Sequence, residues 1–139
     1  MGSFVSALLG GGGAYAAEDT AEGSSDARVV SFHSANRWQL HFNSCKDSNK
    51  LLVVDFAASW CGPCKFMEPA VHAMAAKFTD VEFAKIDVDE LPDVSQEFGV
   101  QAMPTFVLLK QGKEVDRVVG ARKDELEKKI ASLGLAWST

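Results

Sequence analysis

The strongest constraint on the fold is the run Leu51–Ala58, which is apolar at every position except Asp55. Such a run is typical of a strand buried on both faces, inside a sheet that helices cover on both sides. The surrounding segments alternate between strand and helix patterns, which predicts an α/β fold with a mixed central sheet of about five strands flanked by about four helices. The predicted strands are Val29–His33, Leu51–Ala58, Val81–Asp87, Thr105–Lys110 and Glu114–Gly120, and the predicted helices are one that begins after Ser34 and those over about Cys61–Phe78, Leu91–Phe98 and Lys123–Leu133.

The chain divides into two regions of different composition. Residues 1–27 contain six of the 11 glycines and four acidic residues, with no lysine or arginine. A segment with so few large apolar side chains cannot bury enough surface to offset the entropy lost on ordering. We therefore predict a flexible extension over residues 1–27 and one folded domain over residues 28–139.

Composition also excludes several classes of protein. The formal net charge of −5 argues against a nucleic-acid binder, which would show a basic surface. No apolar run approaches the roughly 18 residues that a membrane-spanning helix needs. Three cysteines in 139 residues are too few, and of the wrong parity, for a secreted disulfide framework. We expect a reducing, cytoplasmic location.

The chemistry is concentrated in Trp60-Cys61-Gly62-Pro63-Cys64-Lys65. Two cysteines separated by two residues, at the start of a helix after a buried strand, place the first sulfur near unpaired backbone N–H groups that stabilise a thiolate. The second sulfur lies one turn further, within disulfide reach of the first. The alternative is half of a zinc site, but no second cysteine pair or closely spaced histidine pair is present, and Cys45 and His72 occur singly on predicted helices.

Three further residues have unusual positions in this pattern. Asp55 interrupts the buried strand, so it is either a carboxyl group with a raised pKa that accepts a proton from Cys64, or an acid that reaches solvent. Lys85, in the next strand along the chain, either approaches Asp55 or keeps a solvated head. Pro104 directly precedes a predicted strand, where a cis Met103–Pro104 bond or a plain loop would explain it.

The region from about Val29 to Leu133 resembles thioredoxin, and is most similar to the plant h-type thioredoxins. The resemblance rests on VVDFAASWCGPCK (Val53–Lys65), KIDVDE (Lys85–Glu90), AMPTF (Ala102–Phe106) and VVGA (Val118–Ala121). It implies the thioredoxin fold and a dithiol–disulfide reductase in which Cys61 is the nucleophile and Cys64 the resolving cysteine. It also makes Asp55 the buried acid and Pro104 a cis-proline. One departure is Ala57, where many thioredoxins carry tryptophan.

The same resemblance implies how the protein meets its partners. Target proteins with disulfides, such as peroxiredoxins, would dock on a surface around the dithiol. No cofactor would be bound, because electrons would come from NADPH through a flavin-containing thioredoxin reductase. We expect a monomer. The supporting residues would be Trp60, Gly62, Pro63, Lys65 and Lys85, and the substrate-binding residues Ala102, Met103, Pro104, Gly120 and Ala121.

The amino terminus contains a lipidation pattern. Gly2 with Ser6 fits the N-myristoylation motif, and the alternative is an unmodified extension. One acyl chain would give weak, reversible membrane attachment. Endomembrane association through Gly2 is therefore one alternative to the cytoplasm. The resemblance to h-type thioredoxins with such extensions implies a mitochondrial location as another.

Two other functions compete with a reductase. A redox-silent binding module would need neither cysteine nor the buried acid. A disulfide oxidase of the secretory pathway would need a signal peptide, and the Gly-Pro dipeptide between the cysteines disfavours it.

Outside the motifs, we expect Cys45 to be an inert buried thiol, with a redox or dimerising role as the alternative. Trp137 is either a packing anchor or an exposed terminus.

Overall fold

The molecule is built around one five-stranded sheet with the strand order β1-β3-β2-β4-β5. The structure, a computed structural model, describes residues 28–136, with side chains up to residue 134. Its strands are β1 (Val29–Phe32), β2 (Leu51–Ala57), β3 (Glu82–Asp87), β4 (Thr105–Lys110) and β5 (Lys113–Val119), and its helices are α1 (Ala35–Cys45), α2 (Gly62–Lys77), α3 (Pro92–Glu97) and α4 (Lys123–Ala136). The predicted α/β architecture is confirmed, and the boundaries differ from the predicted ones by at most three residues.

Strand β2 is the centre of the sheet. It pairs in parallel with β3 and antiparallel with β4, so the sheet is mixed as predicted. All seven of its residues are buried. Parallel neighbours place the carboxyl ends of β2 and β3 at the same edge of the sheet, and the segment with the cysteines follows β2 at that edge.

Alternate residues of β2 face two separate apolar layers, because side chains of a strand point to opposite faces in turn. Leu51 and Val53 belong to a cluster with residues of α2 and α4. Leu52 and Val54 belong to a second cluster with residues of α1 and α3. The same alternation places Asp55 on the face that α2 covers.

The helix signals in the sequence have direct counterparts in the structure. Ser34 caps α1, and its hydroxyl accepts a hydrogen bond from the backbone N–H of Arg37. On the apolar face of α1, Trp38 and Cys45 are buried and Phe42 is partly buried. Gly2, the rest of residues 1–27 and Trp137 lie outside the described residues. Within residues 28–136, no helix combines the length and apolarity required to cross a membrane.

Candidate active site

The two cysteines of the Cys-Gly-Pro-Cys segment form a disulfide at the amino end of α2. Their Cα atoms are 5.3 Å apart. Cys61 is the N-cap residue, and its sulfur accepts a hydrogen bond of 3.1 Å from the backbone N–H of Cys64. Pro63 occupies the first turn of the helix, where its missing N–H leaves no bond unmade. A thiolate on Cys61 would therefore receive a backbone hydrogen bond and the positive end of the helix dipole.

The disulfide is buried in a small apolar cluster rather than lying on an open surface. Cys61 is 4% exposed and Cys64 is 6% exposed, and both pack with Ala57 and Ala58. The partly buried Met103 also packs against this cluster. Low exposure of both sulfurs in the oxidised form means that a partner must approach closely to reach the disulfide. Since Ala57 is itself buried, the small residue at this position forms part of the apolar cluster around the disulfide.

The loop before β4 lies beside the disulfide. The Met103–Pro104 peptide bond is cis, as the resemblance implied. The carbonyl oxygen of Met103 lies 3.7 Å from the sulfur of Cys61. The carbonyl oxygen of Pro104 accepts a hydrogen bond of 2.7 Å from the backbone N–H of Gly120, whose φ of 99° lies in the region that favours glycine. The loops at Pro104 and Gly120 are thereby joined to each other beside the disulfide.

The surface around the disulfide presents apolar and backbone groups to solvent. Trp60 is 66% exposed, and its indole N–H donates a hydrogen bond of 2.8 Å to a carboxylate oxygen of Asp89. The sequence analysis did not predict this hydrogen bond between Asp89 and Trp60. Lys65 is exposed on α2. Of the residues predicted to bind targets or flank the dithiol, Gly62, Pro63, Ala102 and Ala121 are exposed, Met103 and Gly120 are partly buried, and Pro104 is buried.

Asp55 is a buried acid on the face of β2 that α2 covers. Its exposure is 6%, and one of its carboxyl oxygens, Oδ1, has no hydrogen-bond partner. Burial raises the pKa of this carboxyl group to about 7, with a smaller contribution in the same direction from the Glu68 charge and an opposing one from Lys85. A carboxyl group with a pKa in this range can both accept and release a proton near neutral pH.

Lys85 lies beside Asp55 in the sheet and also keeps a partly solvated head group. It is the register partner of Asp55 across β2 and β3, and its charge lowers the pKa of Asp55. Its ammonium group forms an ion pair of 2.7 Å with Glu68 of α2, and its side chain is 32% exposed. Sequence reasoning missed Glu68. The available signal was its position one helical turn after Cys64, on a helix that had to cover the face with Asp55.

Cys45 is a free, buried cysteine on α1, remote in sequence from the disulfide. Burial raises the pKa of its thiol, and the charge of Glu82 adds to this effect. A protonated, buried thiol reacts slowly with oxidants and other thiols. Both observations agree with the expected inert thiol and give no support to a dimerising role.

Comparison with known proteins agrees with the geometry. The thioredoxin family model matches residues 29–132. Thioredoxin H2 of Arabidopsis thaliana is 62% identical over 133 residues, which cover 96% of this chain and 98% of the relative. The crystal structure of thioredoxin NaTrxh from Nicotiana alata has a TM-score of 0.77 at 72% identity and covers 84% of this chain and 99% of its own.

A third relative comes from a structure on the thiol resolving mechanism in yeast mitochondrial 1-Cys peroxiredoxin via glutathione/thioredoxin systems. It has a TM-score of 0.69 at 38% identity and covers 78% of this chain and 99% of its own. The sheet order, the cysteine pair at the start of α2 and these relatives all point the same way. The chain belongs to the thioredoxin family, alongside the plant h-type members, and it is a thiol–disulfide oxidoreductase whose redox-active pair is Cys61 and Cys64.

Proposed function

We propose that Cys61 and Cys64 divide the reduction of a target disulfide between them. The thiolate of Cys61 attacks one sulfur of the target, the target S–S bond breaks, and a mixed disulfide joins Cys61 to the target. The other target sulfur leaves as a thiolate and takes a proton from solvent. The observation that supports this assignment is the position of Cys61 at the N-cap of α2, where the backbone N–H of Cys64 donates to its sulfur.

The second step closes the disulfide that the structure contains. Cys64 loses its proton and attacks the sulfur of Cys61, which releases the second target thiolate and forms the Cys61–Cys64 bond. Two electrons pass from the protein to the target in total. We assign the proton acceptor in this step to Asp55, acting directly or through a water molecule, because its raised pKa matches that task near neutral pH.

Target recognition is proposed to use the exposed rim around the dithiol. The supporting feature is that Trp60, Gly62, Pro63, Ala102 and Ala121 are exposed next to a buried disulfide. Apolar side chains and backbone groups make contacts that depend little on the target's sequence. A protein with this rim would accept many different targets that present an accessible disulfide.

The partners follow from the two-electron balance of the reaction. After each cycle the Cys61–Cys64 disulfide must be reduced by another protein, for which we propose a flavin-containing thioredoxin reductase that uses NADPH. Peroxiredoxins are proposed as one class of target, in keeping with the subject of the structure that contains the yeast relative. The protein itself would act as a monomer without a bound cofactor.

The reaction is tested by reduction of insulin with a small dithiol as the electron source. Wild-type protein should accelerate it, whereas Cys61→Ser should abolish the acceleration because no nucleophile remains. Cys64→Ser should instead accumulate a mixed disulfide with the target that separates on a non-reducing gel. Cys45→Ser serves as the control and should behave as the wild type. Full activity in Cys61→Ser would refute the assignment.

We propose the cytoplasm as the location, on the grounds of the few cysteines and the absence of basic residues from residues 1–27. Myristoylation at Gly2 would add reversible membrane attachment. A Gly2→Ala change should then move the membrane-bound fraction into the soluble pool, and Ser3→Ala should not. An unchanged distribution in Gly2→Ala would remove the lipid hypothesis and leave endomembrane or mitochondrial targeting to another signal.

A further inference from the structure

A cluster of three metal-ligating side chains lies away from the dithiol. The side chains are His41 and Cys45 of α1 and Glu82 of β3. The sulfur of Cys45 is 3.7 Å from Nε2 of His41 and 3.8 Å from Oε1 of Glu82. The same two atoms of His41 and Glu82 are 3.3 Å apart. The sulfur, nitrogen and oxygen atoms of these three side chains thus form a small triangle.

The edges of this triangle match the coordination sphere of a tetrahedral zinc ion. Zinc bonds of about 2.3 Å to sulfur and about 2.0–2.2 Å to nitrogen and oxygen place tetrahedral ligand atoms about 3.6 Å apart where one is sulfur, and about 3.4 Å apart where neither is. Each observed edge agrees with these values to within about 0.2 Å. We propose that His41, Cys45 and Glu82 form a binding site for Zn²⁺ in which the fourth position is open to water.

The fold holds these ligands in place without the metal. His41 and Cys45 are four residues apart on α1 and therefore lie on one face of the helix. The imidazole of His41 packs against the ring of Phe32, with 5.0 Å between the ring centroids. Glu82 begins β3, whose pairing with β1 and β2 fixes its position. A site that is already arranged loses little conformational entropy when the ion binds.

Charge and exposure both suit a divalent cation. A thiolate on Cys45 and the carboxylate of Glu82 together balance the two positive charges of zinc, so the complex is neutral. The side chains of His41 and Glu82 are 28% and 34% exposed, which leaves the ion a route from solvent. Cys45 is 8% exposed and supplies the soft ligand that favours zinc over magnesium or calcium. On binding, the Cys45 S–H bond is replaced by a Zn–S bond and the proton passes to the buffer.

The site is separate from the dithiol. Glu82 is the first residue of β3 and Asp87 the last, and the disulfide lies near the carboxyl end of this strand. At about 3.3 Å per residue, the strand puts about 16 Å between its two ends. Zinc at this site should therefore leave the exchange chemistry of Cys61 and Cys64 intact.

The test uses the full chain in its oxidised form, because the Cys61–Cys64 disulfide then leaves Cys45 as the remaining thiol. Titration with Zn²⁺, followed by calorimetry in two buffers of different ionisation enthalpy, should give one ion per chain and release of about one proton. Titration with Co²⁺ should give a thiolate-to-cobalt charge-transfer band together with the visible bands of tetrahedral cobalt. The cobalt spectrum uses the wild type alone and does not depend on whether a variant folds.

Variants then assign the ligands. Cys45→Ser should remove the charge-transfer band. His41→Gln and Glu82→Gln should each weaken Zn²⁺ binding. The loss should be at least about 10- to 100-fold, which is the usual effect of removing a residue that only supports a direct ligand. The matched control is His33→Gln, which breaks the exposed His33–Glu90 ion pair of 2.8 Å and should leave zinc affinity unchanged. Absence of Zn²⁺ binding to the oxidised wild type would overturn the proposal. So would a cobalt complex without a thiolate band, or unchanged affinity in Cys45→Ser.

Discussion

Replacing Asp55 by asparagine should stabilise the oxidised protein at neutral pH and above, because the change removes a charge that the fold buries. Burial raises the pKa of Asp55 from its ordinary 3.8 to about 7 in the folded chain. As the pH rises, the unfolded chain therefore loses this proton before the folded chain does. The contribution of Asp55 to stability is complete below about pH 4 and is lost as the pH rises through about 7.

The size of this effect follows from the difference between the two pKa values. One pKa unit corresponds to about 1.4 kcal/mol, so a rise from 3.8 to about 7 corresponds to about 4 kcal/mol. Asparagine has nearly the same shape and cannot ionise. The free energies of unfolding of wild type and Asp55→Asn should therefore be close at about pH 4, and at about pH 8 the variant should be more stable by about 4 kcal/mol.

The assay is urea unfolding of the oxidised proteins, followed by far-ultraviolet circular dichroism at a series of pH values. Asp80→Asn is the control, because Asp80 is an exposed acid just after α2. Its curve of unfolding free energy against pH should run parallel to that of the wild type, whereas the Asp55→Asn curve should diverge from it upward. Parallel curves for Asp55→Asn and wild type would show that the folded chain does not penalise ionisation of Asp55, and the proposed proton acceptor would lose its physical basis.

Three other changes test the surroundings of the dithiol. Because the Lys85 charge lowers the pKa of Asp55, Lys85→Gln should shift the pH dependence of target release from the mixed disulfide to higher pH, and an unchanged profile would contradict the coupling. Asp89→Ala removes the hydrogen bond that holds Trp60, worth about 1 kcal/mol, so the KM for insulin should rise about fivefold while turnover of a small disulfide stays the same. Gly120→Ala should lower the free energy of unfolding by about 1–3 kcal/mol, because its φ of 99° strains any residue with a Cβ; equal urea midpoints would mean that the loop relaxes.

Much of the fold was predictable because its signals are local. The apolar run at β2, the helix start after Ser34 and the two consecutive strands that follow Pro104 depend on residues close together in the chain, and each appears in the structure. The extent of α4 was less predictable, since this helix continues to Ala136, three residues beyond the last predicted position at Leu133. Helix ends depend on weak capping preferences that neighbouring packing easily outweighs.

The site was only partly predictable, because some of its features are local in the chain and others join distant segments. The dithiol is a local motif, and the helix that it begins fixes the environment of Cys61. The ion-pair partner of Lys85 could not be predicted from a local motif, because Glu68 lies on α2 and Lys85 on β3. Nor could the triangle of His41, Cys45 and Glu82, whose members lie on a helix and a strand separated by β2 and α2 in the chain.

The order of helices and strands follows from periodicity along the chain, and the reactive cysteines and the family resemblance follow from short motifs, so all three can be read from the amino-acid sequence. Which groups surround those residues depends on how distant segments pack together. The tertiary structure buried Asp55 and brought Lys85 and Glu68, which form an ion pair with each other, close enough for their charges to act on its pKa. The free energy of a charge depends on distance and solvent access, and both are set by residues that are far apart in the chain.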